Sequence, residues 1–416
     1  MTERRWRWVA IGVASVAIAA QWIRIAVNPV GDFRNHWLWG ARFVHGQFLY
    51  EGGANIPYLP AWAMAFAPLS LVPLQVAQSL VYPVALLATW TVLIILERLS
   101  LGDRPLDTPR VFWLAALAIA LSSRYILRDL SEAGPNTLLM ALAWVGIWAW
   151  WNGRSALGGV ALGAAIALKP TALLFLCYFA LRREFRFVVA ATAAAAAFTV
   201  LPVVWQGPVS YGRHIATWAS AVWTGVASGD PRIGILGLET IGNISLRPAL
   251  ARYLMHIPEG AGEQGRFVHP WNIDFLTLQP ETAAPIVAAI MIAVVGAVVW
   301  SLRQSRAHLR AIVVWDCAAV AILALLLSPI TWRQHCVAIL PACYLIARMR
   351  MTGPRVPPIA WLAIGTLVVV SVLLSRGVMG DTISSLVHSY YLHTIALLLL
   401  LAGVIACRNR VFDVDQ

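Results

Sequence analysis

A chain of 416 residues that is 60% hydrophobic and only 12% charged, with a mean hydropathy of +0.73, is too apolar for a soluble protein of two or three domains. Its net charge of +12 does not point to nucleic acid, because the arginines stand singly between apolar runs and form no dense basic stripe. Five cysteines (Cys177, Cys317, Cys336, Cys343 and Cys407) lie in or beside those runs without Cys-x-x-Cys spacing, so neither a disulfide framework nor a zinc site is expected.

The first run, "MTERRWRWVAIGVASVAIAAQWIRIAV", has the basic start and small-residue patch, Ala19 and Ala20, of a signal peptide. Its apolar stretch continues to Val27, so it is read as an uncleaved span. Further runs at about 74–97, 111–128, 135–151, 156–168, 170–181, 187–205, 284–302, 311–327, 336–348, 357–375 and 389–407 predict an all-α polytopic membrane protein with about 10–12 transmembrane helices. The two runs meeting at "ALKPTALL" are each too short to cross a hydrocarbon layer of about 30 Å, and basic segments flank the pair. They predict a half-depth hairpin bent at Pro170. Twenty tryptophans and ten tyrosines suit aromatic belts at the interfaces.

The short connections "TERRWR", "ERLSLGDRPLDTPR", "NGRS", "LRREFR", "LRQSRAHLR", "ARMRMTGPR" and "CRNR" hold 18 of the 31 basic residues, and alternation of the runs puts them on one side. By the positive-inside preference that side is the cytoplasm, and both termini lie there in the cell membrane. The opposite, extracytoplasmic face receives two long loops, about 28–73 and 206–283, together with "RDLSEAGPN", "SPITWRQH" and "RGVMGDTISSLVH". The chain 1–416 thus reads as a single transmembrane domain with its unusual polar residues on the outer face. Phe33, Trp37, Ala41, Val44 and Phe48 are spaced as one face of an interfacial helix, and Tyr211, Ile215, Trp218, Val222 and Val226 as another. No internal repeat supports an inverted-repeat transporter.

Asp32 precedes the first interfacial helix, where a carboxylate can cap backbone N–H groups and, held in place, can also act as a general base. Lys169 is the only lysine and sits between apolar runs, a position that implies an internal cavity or an anion unless the side chain snorkels to the interface. Arg333 and His335 stand at the start of a later span, where a guanidinium and an imidazole can hold a phosphate, although a histidine there is more often structural. Arg124, Arg128, Asp129 and Glu132 form a second outer cluster, with ion pairing as its plain explanation. His269, Asn272 and Asp274 in the long loop could contact an acceptor. One acid and several cations, without a glycine-rich nucleotide loop or a metal-ligand cluster, suit transfer from a lipid-anchored phosphate and call for no cofactor or metal. Sugar nucleotides are absent outside the cytoplasm, so a polyprenyl-phosphate sugar is the expected donor.

From Asp32 to about Pro341 the chain carries in order "GDFRNHWLWGARFVHGQFLY", "YLPAWAMAFAPLSLVPL", "GGVALGAAIALKPTALLFLCYFALRREFR", "GNISLRPALARYL" and "SPITWRQHCVAILP". This series resembles the polyprenol-phosphate-mannose-dependent mannosyltransferases of glycosyltransferase family 87, which have the GT-C membrane fold. Asn243, Ser245, Leu246 and Arg252 match one family segment, and Ser328, Pro329, Trp332 and His335 match its Ser-Pro-x-x-Trp-x-x-His turn. The resemblance implies inverting transfer of a hexose, with mannose expected, from a polyprenyl monophosphate to a glycolipid or glycan. It also covers arabinofuranosyl transfer, while a transporter or flippase of lipid-linked sugars is the competing class. With the residue chemistry it gives Asp32 as base, Lys169, Arg333, His335 and Arg128 around the donor phosphate, and His36, Tyr58, Asn136, Asn243 and Trp332 against the substrates. Three departures imply a different sugar or acceptor from the best-known members: Pro135 in place of glutamine in "GPN", a single histidine with Arg333 in "WRQHC", and Trp37 beside His36.

Overall fold

The structure, a computed structural model, describes residues 3–27, 31–51, 58–100, 106–256, 274–303, 310–352 and 355–414. In chain order the α-helices are α1 (Glu3–Val27), α2 (Phe33–Val44), α3 (Pro60–Phe66), α4 (Leu74–Ser100), α5 (Thr108–Ser131), α6 (Pro135–Trp151), α7 (Ser155–Leu168), α8 (Leu173–Leu181), α9 (Phe185–Val200), α10 (Val203–Gln206), α11 (Pro208–Ala227), α12 (Leu246–Leu254), α13 (Pro280–Arg303), α14 (Arg310–Leu327), α15 (Leu340–Thr352), α16 (Pro358–Val368), α17 (Arg376–Ser389) and α18 (Leu392–Val414). The only strands among the described residues are two-residue pieces, Ile233–Gly234 and Gly237–Leu238, paired antiparallel. The chain is therefore the all-α polytopic protein that its apolar runs predict.

Among the described residues six helices are long and apolar enough to cross a membrane: α1, α4, α5, the α9–α10 stretch, α13 and α18. A seventh span is available from α16, its π-helical extension Val369–Leu373 and α17, bent by 105°. A count of ten to twelve is reached only by including shorter apolar helices such as α6, α7, α8 and α14. The large apolar side chains left exposed, among them Val16, Leu87, Val189, Ile292 and Leu362, mark a bundle whose solvent is hydrocarbon. Two helices form its axis: α14 from Ile312 to Leu326 and α15 to Met349 are buried throughout.

The hairpin at Pro170 is present. Gly158 near the start of α7 lies against the backbone of Gly146 and Trp150, and Phe179 near the end of α8 returns to Trp150, ring centroids 5.0 Å apart. Trp150 Nε1 also donates to Glu184 just beyond α8 (2.9 Å). Both ends of the pair thus meet the same end of α6, and the tip carrying Lys169 meets the other. The glycine-alanine composition of α7 has a packing cause: a Cβ on Gly163 would lie 2.6 Å from the Ala191 carbonyl, and one on Gly159 2.7 Å from that of Phe187. Only small residues let α7 wedge this tightly between α6 and α9.

The helix after Asp32 buries a different face from the expected one. Phe33, His36, Gly40 and Phe43 point inward, while Val44 is exposed and Phe48 lies beyond the helix. The rotation follows from Gly40, which rests on the Phe66 backbone and draws α2 against α3 through its smallest residue. The α11 face fits better, since Tyr211, Ile215, Trp218 and Val222 are all partly buried.

Candidate active site

The end of the bundle carrying α2 and the hairpin tip gathers most of the polar residues singled out above. Asp32 stands at the N-cap of α2 but does not cap it: its backbone is helical (φ −75°, ψ −11°) and its side chain accepts no first-turn N–H. The capping expectation is corrected for that reason, since an N-cap carboxylate reaches those groups from extended backbone. Instead, the Asp32 backbone N–H donates to the Glu132 carboxylate, and Gly31, in the left-handed region at φ +83°, lies so close to that carboxylate that no Cβ would fit. The exposed Asp32 carboxylate accepts from Gln334 Nε2 at 3.3 Å. Glu132 is buried and paired with Arg128 at 2.9 Å. Burial pushes its carboxyl up to about 7, with Arg128 opposing and the charge of Asp32 adding to the rise. Arg128, expected at the donor phosphate, is therefore committed to the acid that backs Asp32.

Lys169 is held by a second relay. Buried Asp129 accepts from the backbone N–H groups of Asn136 (3.3 Å) and Thr137 (2.8 Å) and from their side chains (2.8 and 2.7 Å). It thereby closes the first turn of α6, where Pro135 sacrifices no hydrogen bond. With its amide nitrogen so fixed, Asn136 turns Oδ1 to Lys169 Nζ, 3.0 Å away. Asp129 is thus a support for the lysine's acceptor rather than a rim ion pair. Lys169 Nζ also lies 5.9 Å from the centroid of the Tyr58 ring, which stacks on Trp62 at 4.4 Å.

His36 belongs to that aromatic support. Its Nδ1 accepts from Trp62 Nε1 (3.1 Å), and the rings of Trp39, Tyr58 and Phe66 surround it. Burial, with Lys169 adding, lowers its pKa to about 3. The imidazole is thus neutral and enclosed on the packing face of α2.

The "SPITWRQH" turn is built by Asn243 and Thr331. Asn243 Oδ1 accepts from the backbone of Thr331 (2.9 Å) and Ser245 (3.2 Å), while Nδ2 donates to the Pro329 carbonyl (2.9 Å) and to Glu239 (2.7 Å). Its amide is fully used, so Asn243 clamps the turn. In the 3₁₀ segment Arg333–Ile339, His335 Nδ1 accepts from the Trp332 N–H (3.1 Å), which leaves the proton of a neutral ring on Nε2.

Two adjoining cavities share Lys169, Thr171, Ala324, Ser328 and His335. The larger, of about 350 Å³, is otherwise mostly apolar, with Tyr58, Leu173, Trp218, Leu327 and Trp332 in its wall. The smaller, about 90 Å³, runs inward past Asn136, Trp144 and Phe175. Arg333 lines neither. Successive side chains of a 3₁₀ turn diverge by about 120°, so Arg333 and His335 leave on different sides, and the charge of Arg333 falls on Tyr125, His388 and His393. Grouping Arg333 with Lys169 is therefore corrected. Gln334, which joins this turn to Asp32, went unnoticed in the sequence although it neighbours His335. Asp274 pairs with His256 (2.8 Å), and His269 and Asn272 lie outside the described residues. Among the described residues no three His, Cys, Asp or Glu side chains gather as metal ligands.

The model of glycosyltransferase family 87 matches residues 57–329. A Mycolicibacterium smegmatis protein, the polyprenol-phosphate-mannose-dependent alpha-(1-2)-phosphatidylinositol mannoside mannosyltransferase, is 30% identical over 350 residues, 74% of this chain and 67% of that protein. A Mycobacterium tuberculosis protein of the same name is 28% identical over 366 residues, 82% of this chain and 75% of its own. No solved structure matches.

Proposed function

Because the chain belongs to glycosyltransferase family 87, we propose that it moves a mannosyl group from a polyprenyl monophosphate to a hydroxyl of a glycolipid. The observation that carries this reading is the convergence on one turn of a carboxylate and a lysine amine, each held by an amide. Gln334 holds Asp32, and its neighbour His335 shares a mostly apolar cavity with Lys169.

In the mechanism, the acceptor oxygen attacks the anomeric carbon while its proton passes to Asp32. The bond from that carbon to the phosphate oxygen breaks, its electron pair leaves with the polyprenyl phosphate, and one in-line displacement inverts the centre. The donor phosphodiester carries one negative charge and the departing monoester gains a second. Lys169, with Nε2–H of His335, is therefore of most use in the transition state. Glu132 and Arg128 position Asp32; Asn136 and Tyr58 position Lys169; Trp332 and Trp218 border the sugar and the first prenyl units. The apolar wall from Leu173 to Leu327 suits a prenyl chain entering sideways from the bilayer.

We take 1–416 as one transmembrane domain of the cytoplasmic membrane, with this end extracytoplasmic and both termini cytoplasmic, because alternation of the apolar runs assigns the arginine-rich connections to the other side. A flippase reading has less support, since it needs comparable polar access at both ends. The test is donor choice in liposomes. The purified protein is expected to label a phosphatidylinositol mannoside acceptor from radiolabelled polyprenyl-phosphate-mannose and not from a nucleotide-activated mannose. Transfer from the nucleotide, or from neither, contradicts the proposal.

A further inference from the structure

Helix α11 supplies part of the wall of the larger cavity, and one buried residue ties it to the segment that follows α2. His214, wholly buried, lies on the face of α11 that carries Trp218 and Val222 one and two turns on, and both of these line that cavity. Its Nε2 accepts from the Leu49 backbone N–H at 3.2 Å, and Nδ1 lies 3.1 Å from Gln206 Oε1 in α10. A backbone N–H can only donate, so the proton of a neutral ring stands on Nδ1 and is given to Gln206. The Phe48 ring stacks on the imidazole, centroids 5.0 Å apart and planes at 21°, and the Arg213 guanidinium lies 4.4 Å from the Phe48 centroid.

The segment Phe48–Tyr50 passes that tie on to the cavity. Tyr50 Oη donates to the Tyr58 carbonyl (2.9 Å), and the Tyr58 ring centroid stands 5.9 Å from Lys169 Nζ. Trp218 packs on the cluster of Phe43, Leu49, Tyr50 and Ala63. Two aromatic walls of the cavity, Tyr58 and Trp218, therefore lean on residues that His214 fixes, although His214 itself lines neither cavity. A second proton on the ring would set Nε2–H against the Leu49 N–H, two donors face to face, and would place a charge in a buried position. The titratable groups around it are Tyr50 (ring centroids 6.0 Å apart), Arg42 of α2, which donates to the Leu49 carbonyl (3.0 Å), and on α11 Arg213 and Tyr211, whose hydroxyl donates to the Thr199 carbonyl (2.8 Å). Glu51, next in the segment, is exposed. Burial, with Arg213 adding, lowers the pKa of His214, so the neutral ring prevails at neutral pH and is lost in acid.

We infer that His214, on the reading of the larger cavity as the donor site, is a positioning residue for the lipid-phosphate donor: as a neutral ring it holds α11 to the Phe48–Tyr50 segment and so keeps Tyr58 and Trp218 in place, and as an imidazolium it lets the two part. Donor binding thereby gains a dependence on pH that comes from outside the cavity.

The test is equilibrium binding of radiolabelled polyprenyl-phosphate-mannose to the protein in detergent, without acceptor, between about pH 5 and 7.5, where the phosphodiester keeps its single charge. Wild type is expected to bind about tenfold more weakly at the acid end, the scale of one broken hydrogen bond beside a buried charge. His214→Gln, whose Oε1 can replace Nε2 as acceptor and does not titrate, is expected to bind like wild type at neutral pH and to lose no more than about twofold in acid. Gln206→Glu, which sets a carboxylate beside Nδ1 and favours the charged ring, is expected to move the fall to higher pH by about one unit. No fall in wild type, a fall as steep in His214→Gln, or a midpoint unmoved in Gln206→Glu overturns the role of His214 and leaves the donor site standing. Absence of binding by wild type at neutral pH, or binding that survives Lys169→Ala, overturns the donor site itself and the inference with it.

Discussion

Lys169 is held in place at the end of an apolar helix because Asn136 accepts from it, and Asn136 can do so because Asp129 has fixed the amide's other end. Asn136→Ala is therefore expected to lower the transfer rate about tenfold or more, the value of a hydrogen bond to a charged group, while leaving α6 capped through the backbone bonds to Asp129. Steady-state kinetics on labelled donor checks this, and an unchanged rate would detach Asn136 from the site. Glu132 gives a pH signature. Burial holds its carboxyl near 7 against an ordinary 4.5, so the folded chain binds that proton more tightly than the unfolded one. The resulting stability is complete below about 4.5 and is lost as pH rises through 7. Half-buried Glu239, also near 7, behaves alike. The melting midpoint in detergent is expected to fall between about pH 5 and 8, and Glu132→Gln to flatten part of that fall; a slope unaltered in the variant would contradict it. Of these residues the sequence displayed Asp32, Lys169 and His335 through their rarity or their motif. Glu132 and Asp129 read only as rim charges, because a buried carboxylate bonded to backbone N–H groups leaves no mark on residue spacing.

Among the elements, α7 shows how packing sets chemistry. Its glycines bring it against α6 and α9, and that depth fixes the height at which Lys169 emerges. Gly163→Leu would drive a side chain into the Ala191 carbonyl and Ala194, at a cost of about 1–3 kcal/mol or more, and would displace the hairpin tip. A melting midpoint several degrees lower and a reduced transfer rate are expected together. Gly296→Leu on α13, where nothing lies within 4 Å of the Cβ position, is the matched control and is expected to change neither. If the two variants behave alike, the wedge plays no part. The hairpin was legible, since two short apolar runs flanked by arginines have few other solutions in a membrane. The face of α2 was not, because its periodicity weighed Trp37 and Val44 as core while the fold chose Gly40 for its small size. The position of Arg333 was misread for a similar reason, as adjacency in sequence says little about direction in a 3₁₀ turn.

At the scale of the whole molecule, α14 and α15 form a buried axis whose linking turn faces two ways. One looks to Lys169 and Asp32 and the other to Arg333 and its histidines, and Asn243 ties the turn to the loop that precedes α12. The all-α polytopic fold followed from hydropathy alone. The two directions in which the turn sends Arg333 and His335 needed three dimensions. The central claim is that Asp32 removes the acceptor's proton while the rest of the site holds the donor. The direct measurement is transfer of labelled mannose from polyprenyl-phosphate-mannose to phosphatidylinositol mannoside in liposomes, comparing wild type with Asp32→Asn, alongside donor binding by each. Loss of a general base is expected to lower the rate by about 10²-fold or more with donor affinity little changed. Equal rates in the two proteins, or a rate lost only in proportion to donor binding, would contradict the assignment.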